Sequence, residues 1–270
     1  MQYDPVKKFL GNIFNKATWM RKVFYRLLDL LLLRAWYIKR EIKKQYKTRR
    51  ADKITMLDAG SGYGQYDFFV SSYLKNAEIL GVDVKQEQIE DCNTFFNKIG
   101  RANRVKFEYA DLTEFSLPDK FDLVLSVDVM EHILEDEKVF QNIYQSLKKD
   151  GVLLISTPSD QGGSDVHDEH EHSFIDEHVR DGYNIDDIRA KLSKVGFKTI
   201  EAKYSYGTPG SIAWTLSMKW PIMMVNASKI LFLLLIPYYI IVYPWAYLLN
   251  WIDTTSSHKT GTGLIVKAIK

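Results

Sequence analysis

From residue 54 onward the chain alternates short apolar runs with segments whose apolar positions recur every three or four residues. Residues 54–57, Ile-Thr-Met-Leu, are a run short enough to be a buried strand, and it ends at Asp58. Phe68, Phe69, Val70 and Tyr73 follow at helical spacing. The rhythm continues with strands over 78–83, 104–111, 121–127 and 152–156. Between them lie a helix over 86–99 and one beginning at Asp136, which puts Val139, Phe140, Ile143, Tyr144 and Leu147 on one face. Asp136 reads as the N-cap of that helix. A helix over 185–194, a strand over 196–204 and a last apolar run at 263–269 complete the series. Strand and helix alternating through short links predict a parallel sheet with right-handed crossovers, which binds ligands at the carboxyl ends of its strands.

Two stretches fall outside this rhythm. Residues 19–47 contain no Pro or Gly, and Val23, Phe24, Leu27, Leu28, Leu31 and Leu32 alternate with Arg21, Lys22, Arg26 and Arg34. One basic amphipathic helix is expected, with Trp36 and Tyr37 near its polar boundary. It is suited to a membrane interface or, as the alternative, to packing on the sheet. Nucleic acid is disfavoured, because the aromatics share the apolar face instead of interleaving with the basic residues. Upstream, Phe9, Leu10, Ile13 and Phe14 repeat at helical spacing.

Residues 230–249 carry no charge, and a stretch of roughly 20 apolar residues can cross a bilayer. If 263–269 pairs with 196–204, however, residues 207–258 connect two neighbouring strands, and a single crossing would separate them. Pro237 and Pro244 also bend the path. The segment is therefore expected to be a lid or monotopic element, with a buried cap or a single span as alternatives. The chain divides into a basic helical arm (1–50), a core (51–206), a hydrophobic helical insertion (207–258) and a final core strand (259–270).

A chain of 270 residues suits one α/β core with additions. Charged residues at 26% and hydrophobic residues at 46% are ordinary for a globular protein. Cys92, alone of its kind, excludes a disulfide framework and fits a reducing cytoplasm. It reads as a packing residue. The net charge of +2 hides an asymmetry, because residues 1–50 carry +11 and the remainder −9. A basic arm on an acidic body calls for an anionic surface as partner. No secretory signal is evident: the run 27–33 is interrupted by Asp29 and bracketed by Arg26 and Arg34. The expected location is cytoplasmic, peripheral or monotopic at the inner face of a membrane.

The chemistry concentrates in residues 58–64, Asp-Ala-Gly-Ser-Gly-Tyr-Gly. A strand, a glycine loop and a helix N-terminus together aim backbone N–H groups at a bound ligand, and glycine permits the close approach. The dinucleotide fingerprint needs a third glycine at position 65, which is Gln65. Asp83 ends the next strand 23 residues after Gly60, where a carboxylate accepts hydrogen bonds from ribose hydroxyls. Asp111 ends the third strand in the same way.

The words LDAGSGYG, GVD, YADL, FDLVLSVDVMEHI and LKKDGVLLISTP resemble, in order, the motifs of the class I S-adenosylmethionine (SAM) methyltransferase family, over 54–204 and 261–270. The resemblance implies a Rossmann-like, seven-stranded α/β sheet closed by an antiparallel last strand, with the N-terminal helix and the hydrophobic insertion added to it. It also implies SAM as cofactor, with Asp58, Gly60, Gly62 and Gly64 as motif I. Asp111 goes to the adenine amino group and Leu112 to the wall of the ring. Val84, Ser126 and Asp128 complete the candidate cofactor-binding set.

SAM carries its methyl on a sulfonium, so the protein mainly orients a displacement and manages the acceptor's proton. Candidate catalytic groups are His132, His178 and Glu131. Asp128, Glu131 and His132 stand at i, i+3 and i+4, and with a histidine from 167–178 they would suit Mg²⁺ or Mn²⁺. That spacing resembles the acid-x-x-Glu-His pattern of ubiquinone-pathway O-methyltransferases and of small-RNA 2′-O-methyltransferases. A metal site, a metal-free base and a structural role stay open. The function expected is methyl transfer, with oxygen favoured, to a hydrophobic or lipid-linked acceptor. The alternatives are a soluble small-molecule acceptor with 207–258 as cap, and a non-catalytic SAM-binding scaffold. A nicotinamide oxidoreductase is disfavoured by Gln65 and by the lack of a Tyr-x-x-x-Lys pair after the fifth strand.

Overall fold

The computed structural model describes residues 17–162, 179–227 and 233–270. Its strands are β1 (Thr55–Ala59), β2 (Glu78–Asp83), β3 (Val105–Tyr109), β4 (Phe121–Val127), β5 (Leu147–Pro158), β6 (Thr199–Ser205) and β7 (Gly263–Ile269). They form one seven-stranded sheet in the order β3-β2-β1-β4-β5-β7-β6. β1 pairs in parallel with β2 and with β4, and β7 runs antiparallel between β5 and β6. The order reverses between β1 and β4, which opens a crevice at their carboxyl ends. The third strand stops at Tyr109, short of Asp111, and the fifth begins earlier than its apolar run, at Leu147.

Successive strand residues face opposite sides, so the sheet has two cores. Met56, Val70, Phe96 and Leu125 belong to one, and Leu57, Phe140, Ile143 and Leu192 to the other. The N-terminal region departs from the expected single helix. It forms α1 (Thr18–Leu31) and α2 (Leu33–Tyr46), broken at Leu32, whose backbone is extended (φ −94°, ψ 107°). Phe24, Tyr25, Leu33, Tyr37, Ile38, Ile42 and Tyr46 are buried in the first core. The sheet, not a membrane, therefore takes the inner face of these helices. The break lets α2 turn onto the sheet while α1 continues past it. Residues 1–16, with the upstream apolar repeat, lie outside the described residues.

The remaining core helices are α3 (Gln65–Tyr73), α4 (Gln86–Lys98), α5 (Asp136–Ser146) and α6 (Ile185–Val195). Asp136 is not the cap of α5; Glu135 precedes the helix there. Asp136 instead accepts from Tyr183 Oη at 2.7 Å, Lys191 Nζ at 2.9 Å and Arg180. Burial works against its charge, yet these donors hold the carboxyl below its usual range. It ties α5 to α6 and to the loop before it.

The insertion comprises α7 (Thr208–Trp214), a π-helical turn (Thr215–Lys219), α8 (Trp220–Ala227) and α9 (Leu235–Thr255). Among the described residues α9 is the one helix long and apolar enough to cross a membrane. Its own bonds hold it to the protein. Tyr238 and Tyr239 donate to the carbonyls of Leu216 and Ser217 at 2.7 Å, and Tyr243 donates to that of Leu30 at 3.1 Å. Buried Asp253 accepts from Tyr37 Oη at 2.7 Å and from the N–H of Gly210 at 2.9 Å. A helix bonded along its length to β6-proximal and N-terminal elements lies on the domain.

Candidate active site

The turn from β1 into α3 holds Gly60, Gly62 and Gly64, all at positive φ (86°, 50° and 72°). They are glycine for different reasons. A Cβ on Gly60 would stand 2.3 Å from a methyl of Val129, and one on Gly64 would press on Phe96, Cys92 and Phe107 at 3.1–3.3 Å. A Cβ on Gly62 would meet nothing nearer than Gln88 Oε1 at 3.9 Å. Gly62 thus borders open space, and its N–H donates to Asp83 Oδ2 at 2.9 Å. Asp83 Oδ1 accepts the N–H of Lys85 at 2.9 Å, so both carboxylate oxygens are aligned by backbone. Val84 beside it is exposed, while Leu112 is buried in the second core. Asp111 follows β3; its Oδ1 accepts both the N–H and the hydroxyl of Thr113 at 2.8 Å, which holds the carboxyl below its usual range.

Behind the loop the site is unusually rich in buried polar groups. Asp58 and Asp67 are fully buried neighbours. Burial, then the charge of Asp67, pushes the Asp58 carboxyl well up, and burial pushes Asp67 up to about 7. Burial and their mutual repulsion thus both favour a protonated form of the pair. Asp58 Oδ2, Ser61 Oγ, Tyr66 Oη and, at the end of β4, Ser126 Oγ are buried without a hydrogen-bond partner. Each such atom costs about 1–3 kcal/mol unless a partner arrives, so this cluster is set for a polar ligand. Tyr66 lies in the field of Arg34, Asp128 and Asp58. Arg34, from α2, pairs with Asp128 at 2.9 Å.

A second N-terminal residue braces the loop from beneath. Arg21 is buried, and its guanidinium donates to the carbonyls of Tyr63 at 3.0 Å and Asp91 at 3.3 Å and to Cys92 Sγ at 3.1 Å. Its Nε donates to Tyr25 Oη at 2.8 Å, and Tyr25 in turn donates to the Tyr63 carbonyl at 2.5 Å. Cys92 is thereby a packed, hydrogen-bonded thiol whose ionisation burial suppresses. By spacing alone, Arg21 and Arg34 belong to the polar face of an amphipathic helix. Nothing local in the sequence distinguishes them from Lys22 or Arg26, because their partners lie far along the chain. Asp67 was legible only as a first-turn acid of α3.

After β4, Asp128 adopts φ 53° and Met130–His132 form a single 3₁₀ turn. Glu131 turns inward, accepts the Thr157 hydroxyl at 3.1 Å, and is pushed up to about 8 by burial and by the charge of Asp128. His132 is half-buried on the same turn. His178 and the other histidines of 167–172 lie outside the described residues. Of the three open readings of Asp128, Glu131 and His132, the metal site is not supported: among the described residues no three His, Cys, Asp or Glu side chains are arranged to hold an ion, and the histidine it would take from 167–178 lies outside them. The reason is local. One 3₁₀ turn does not continue the i, i+3, i+4 face, Asp128 is drawn to Arg34, and Glu131 is drawn to Thr157.

The sheet order, the glycine loop, the acid that ends β2 and the acid two residues beyond β3 define an α/β protein that binds a nucleoside-type cofactor at its switch point. A family profile described as a methyltransferase domain matches residues 50–195, over half of the chain, and the chain belongs to that family. It is 30% identical over 131 residues to a ubiquinone biosynthesis O-methyltransferase of Pelagibacter ubique, covering 46% of this chain and 52% of that one. It is 28% identical over 149 residues to a phosphoethanolamine N-methyltransferase of Triticum aestivum, covering 55% and 28%. The chain thus spans about half, or less, of the length of these curated relatives. Among solved structures, Haemonchus contortus phosphoethanolamine N-methyltransferase 2 in complex with SAM matches with TM-score 0.62 and 24% identity, over 87% of this chain and 52% of that one. The cyclase SpnF matches with TM-score 0.56 and 17% identity, over 95% and 83%. These two likenesses concern the fold alone.

Proposed function

We propose that this protein is a SAM-dependent methyltransferase that works against an anionic membrane surface and methylates an oxygen of a hydrophobic or lipid-linked acceptor. Asp83 would hold the ribose hydroxyls, Asp111 the adenine amino group, and Leu112 with Val84 the ring. The loop gives the cofactor space and not free donors: the N–H of Gly60 is spent on the Val82 carbonyl and that of Gly64 on the Ser61 carbonyl, both at 2.9 Å, and that of Gly62 aligns Asp83. Asp58 suits the ammonium of the cofactor's amino-acid end, and Arg34, steadied by Asp128, suits its carboxylate; Ser126 borders the same end. The bound cofactor supplies an activated methyl on sulfonium. The acceptor's hydroxyl oxygen takes that methyl, S-adenosylhomocysteine leaves, and the hydroxyl proton passes to a base or to water. His132 is the base offered by the described residues, with His178 the candidate outside them. Glu131, protonated near neutrality, positions the turn that carries His132.

The observation that carries the membrane part is the exposed apolar face of α9. Ile236, Ile240, Ile241, Trp245, Leu248 and Trp251 are all exposed, four of the six by about two thirds or more (65–72%). Scattered apolar residues are normal on a surface, but a continuous stripe of this kind marks an interaction face. On α1, Trp19, Val23, Leu27 and Leu30 add a second exposed row, with Lys22 and Arg26 exposed beside it. Tyr243 ties α9 to the end of that row at Leu30. Basic residues near an anionic bilayer contribute about 1 kcal/mol each. The names of the relatives span quinone-pathway oxygen and small amine acceptors, so the acceptor class is argued from this face and not from them.

The test is sedimentation of the whole protein with anionic vesicles, compared with a variant carrying Ile236→Ser, Ile240→Ser and Ile241→Ser. The intact protein should pellet at low salt and only partly release at high salt, whereas the variant should stay soluble at high salt with SAM affinity retained. Intact protein that remains in the supernatant at low salt overturns the membrane reading. Failure to bind SAM overturns the enzyme reading.

A further inference from the structure

At the root of the insertion lies a cavity of about 470 Å³, open on one side, between α7, the π-helical turn, the loop after β5 and the loop before β7. None of the residues that line it is charged. Its lining mixes two chemistries. Thr208, Ser211, Thr215, Thr260 and Thr262 supply hydroxyls, with the Gln161 amide, and Ile212, Leu216 and Trp220 supply apolar surface. We infer that this cavity binds the body of the methyl acceptor, and that it selects an uncharged, hydroxyl-bearing ring attached to a lipid tail, the chemistry of a neutral glycolipid.

The hydrogen bonds decide the polarity of the site. Ser211 Oγ already donates to the Tyr206 carbonyl at 3.1 Å, and Thr215 Oγ1 to the Ser211 carbonyl at 2.9 Å. With their protons committed, these two oxygens can only accept, which suits ligand hydroxyls and offers nothing to phosphate or carboxylate oxygens. Gln161 spends one N–H on Tyr204 Oη at 2.8 Å and keeps its second N–H and its carbonyl oxygen, a donor and an acceptor that a ligand hydroxyl can both use. An anionic headgroup would find no counter-charge among the side chains that line the cavity. Trp220 is half exposed at the mouth and offers an aromatic face to the C–H face of a ring. The apolar wall runs from Trp220 into α8, where Met223 is exposed, giving a tail a path from the apolar surface of the insertion.

Position supports the assignment. Tyr206 lines the cavity, and its hydroxyl accepts the N–H of Arg34 at 3.1 Å, while the Arg34 guanidinium holds Asp128 at the crevice. Tyr206 and Arg34 thus link the cavity to the cofactor crevice. On the other side Ser159, next after β5, donates its N–H to the Thr262 carbonyl at 3.0 Å. The π-helical turn also fits a binding role, since such turns recur where a helix opens to a ligand.

The inference rests on the methyltransferase reading for the meaning of the ligand but is tested without SAM, so the two fail separately. Equilibrium binding to the full chain would be measured by calorimetry with octyl glucoside below its micellar concentration, octyl phosphocholine and free glucose. Octyl glucoside should bind at least tenfold more tightly than either comparison ligand. Trp220→Ala and Ser211→Ala should each weaken it about tenfold or more, with an unchanged thermal melt and far-ultraviolet circular dichroism as the control that the fold is intact. Thr215→Val, which keeps the side chain's shape, should weaken octyl glucoside without affecting any residual binding of octyl phosphocholine. Equal binding of the phosphocholine overturns the neutral-headgroup claim, and glucose binding as tightly as its octyl derivative overturns the role of the apolar wall. Unchanged octyl glucoside affinity in all three variants places its site elsewhere and overturns the inference.

Discussion

Replacing Arg21 tests whether the N-terminal helices are part of the cofactor site. Arg21→Met keeps the apolar stem but removes donors to the Tyr63 and Asp91 carbonyls, to Tyr25 Oη and to Cys92 Sγ. Hydrogen bonds to a charged group contribute about 1.5–3 kcal/mol each, but the sum overstates the loss. The Tyr63 carbonyl keeps the Tyr25 hydroxyl, and removing a buried guanidinium also removes its desolvation cost. A net destabilisation of about 2–4 kcal/mol is expected, which lowers Tm by roughly 5–15 °C in a chain of this size. The loop peptide at Tyr63 would then be less ordered before binding. If about 1–2 kcal/mol of ordering shifts to the binding step, the Kd for SAM rises roughly 5- to 30-fold. Thermal melts and calorimetric SAM titrations measure the two effects. Arg21→Lys should recover only part of either, because an ammonium cannot reproduce the fork that reaches four partners. A lowered Tm with unchanged SAM affinity refutes the coupling to the loop, and an unchanged Tm refutes the docking of α1 itself.

Three further outcomes are expected. Gly62→Val should remove SAM binding while the chain stays folded, since its Cβ enters space that no protein atom fills; measurable SAM affinity in the folded variant would mean that the cofactor does not lie over Gly62. SAM binding should release protons at pH 6, because a ligand ammonium beside Asp58 favours the ionised form of a pair whose second member, Asp67, sits at about 7. Affinity should therefore rise with pH through that value, and identical heats in two buffers of different ionisation enthalpy would contradict it. Glu131, raised to about 8, binds a proton in the folded state that the unfolded chain has lost, so its contribution to stability falls as pH rises from about 4.3 to about 8. Glu131→Gln mimics the protonated form and should flatten the difference between denaturant midpoints at pH 5.5 and pH 8; an unchanged difference would show that another group carries it.

What the sequence by itself determined is local or periodic. Each core strand and helix announced itself through its own apolar spacing; the antiparallel sense of Gly263–Ile269 came from the family resemblance, and its place between β5 and β6 from the fold. The glycine loop and the acids at 83 and 111 were legible because tight turns and strand ends constrain residue type at fixed spacing. Tertiary structure alone decided which partner each amphipathic face would meet. The pattern of 19–47 serves a membrane and a sheet equally well, and it took the break at Leu32 to place Tyr37, Ile38 and Ile42 against the sheet. Likewise the basic face of that segment hid Arg21 under the glycine loop and Arg34 against Asp128. Asp136 looked like a cap until Tyr183 and Lys191, some 50 positions later, were brought to it. The trio of Asp128, Glu131 and His132 had the right spacing for a helix but lies on a 3₁₀ turn. In each case periodicity records how a residue sits relative to its neighbours in the chain, whereas its charge is satisfied by groups that only folding brings within reach.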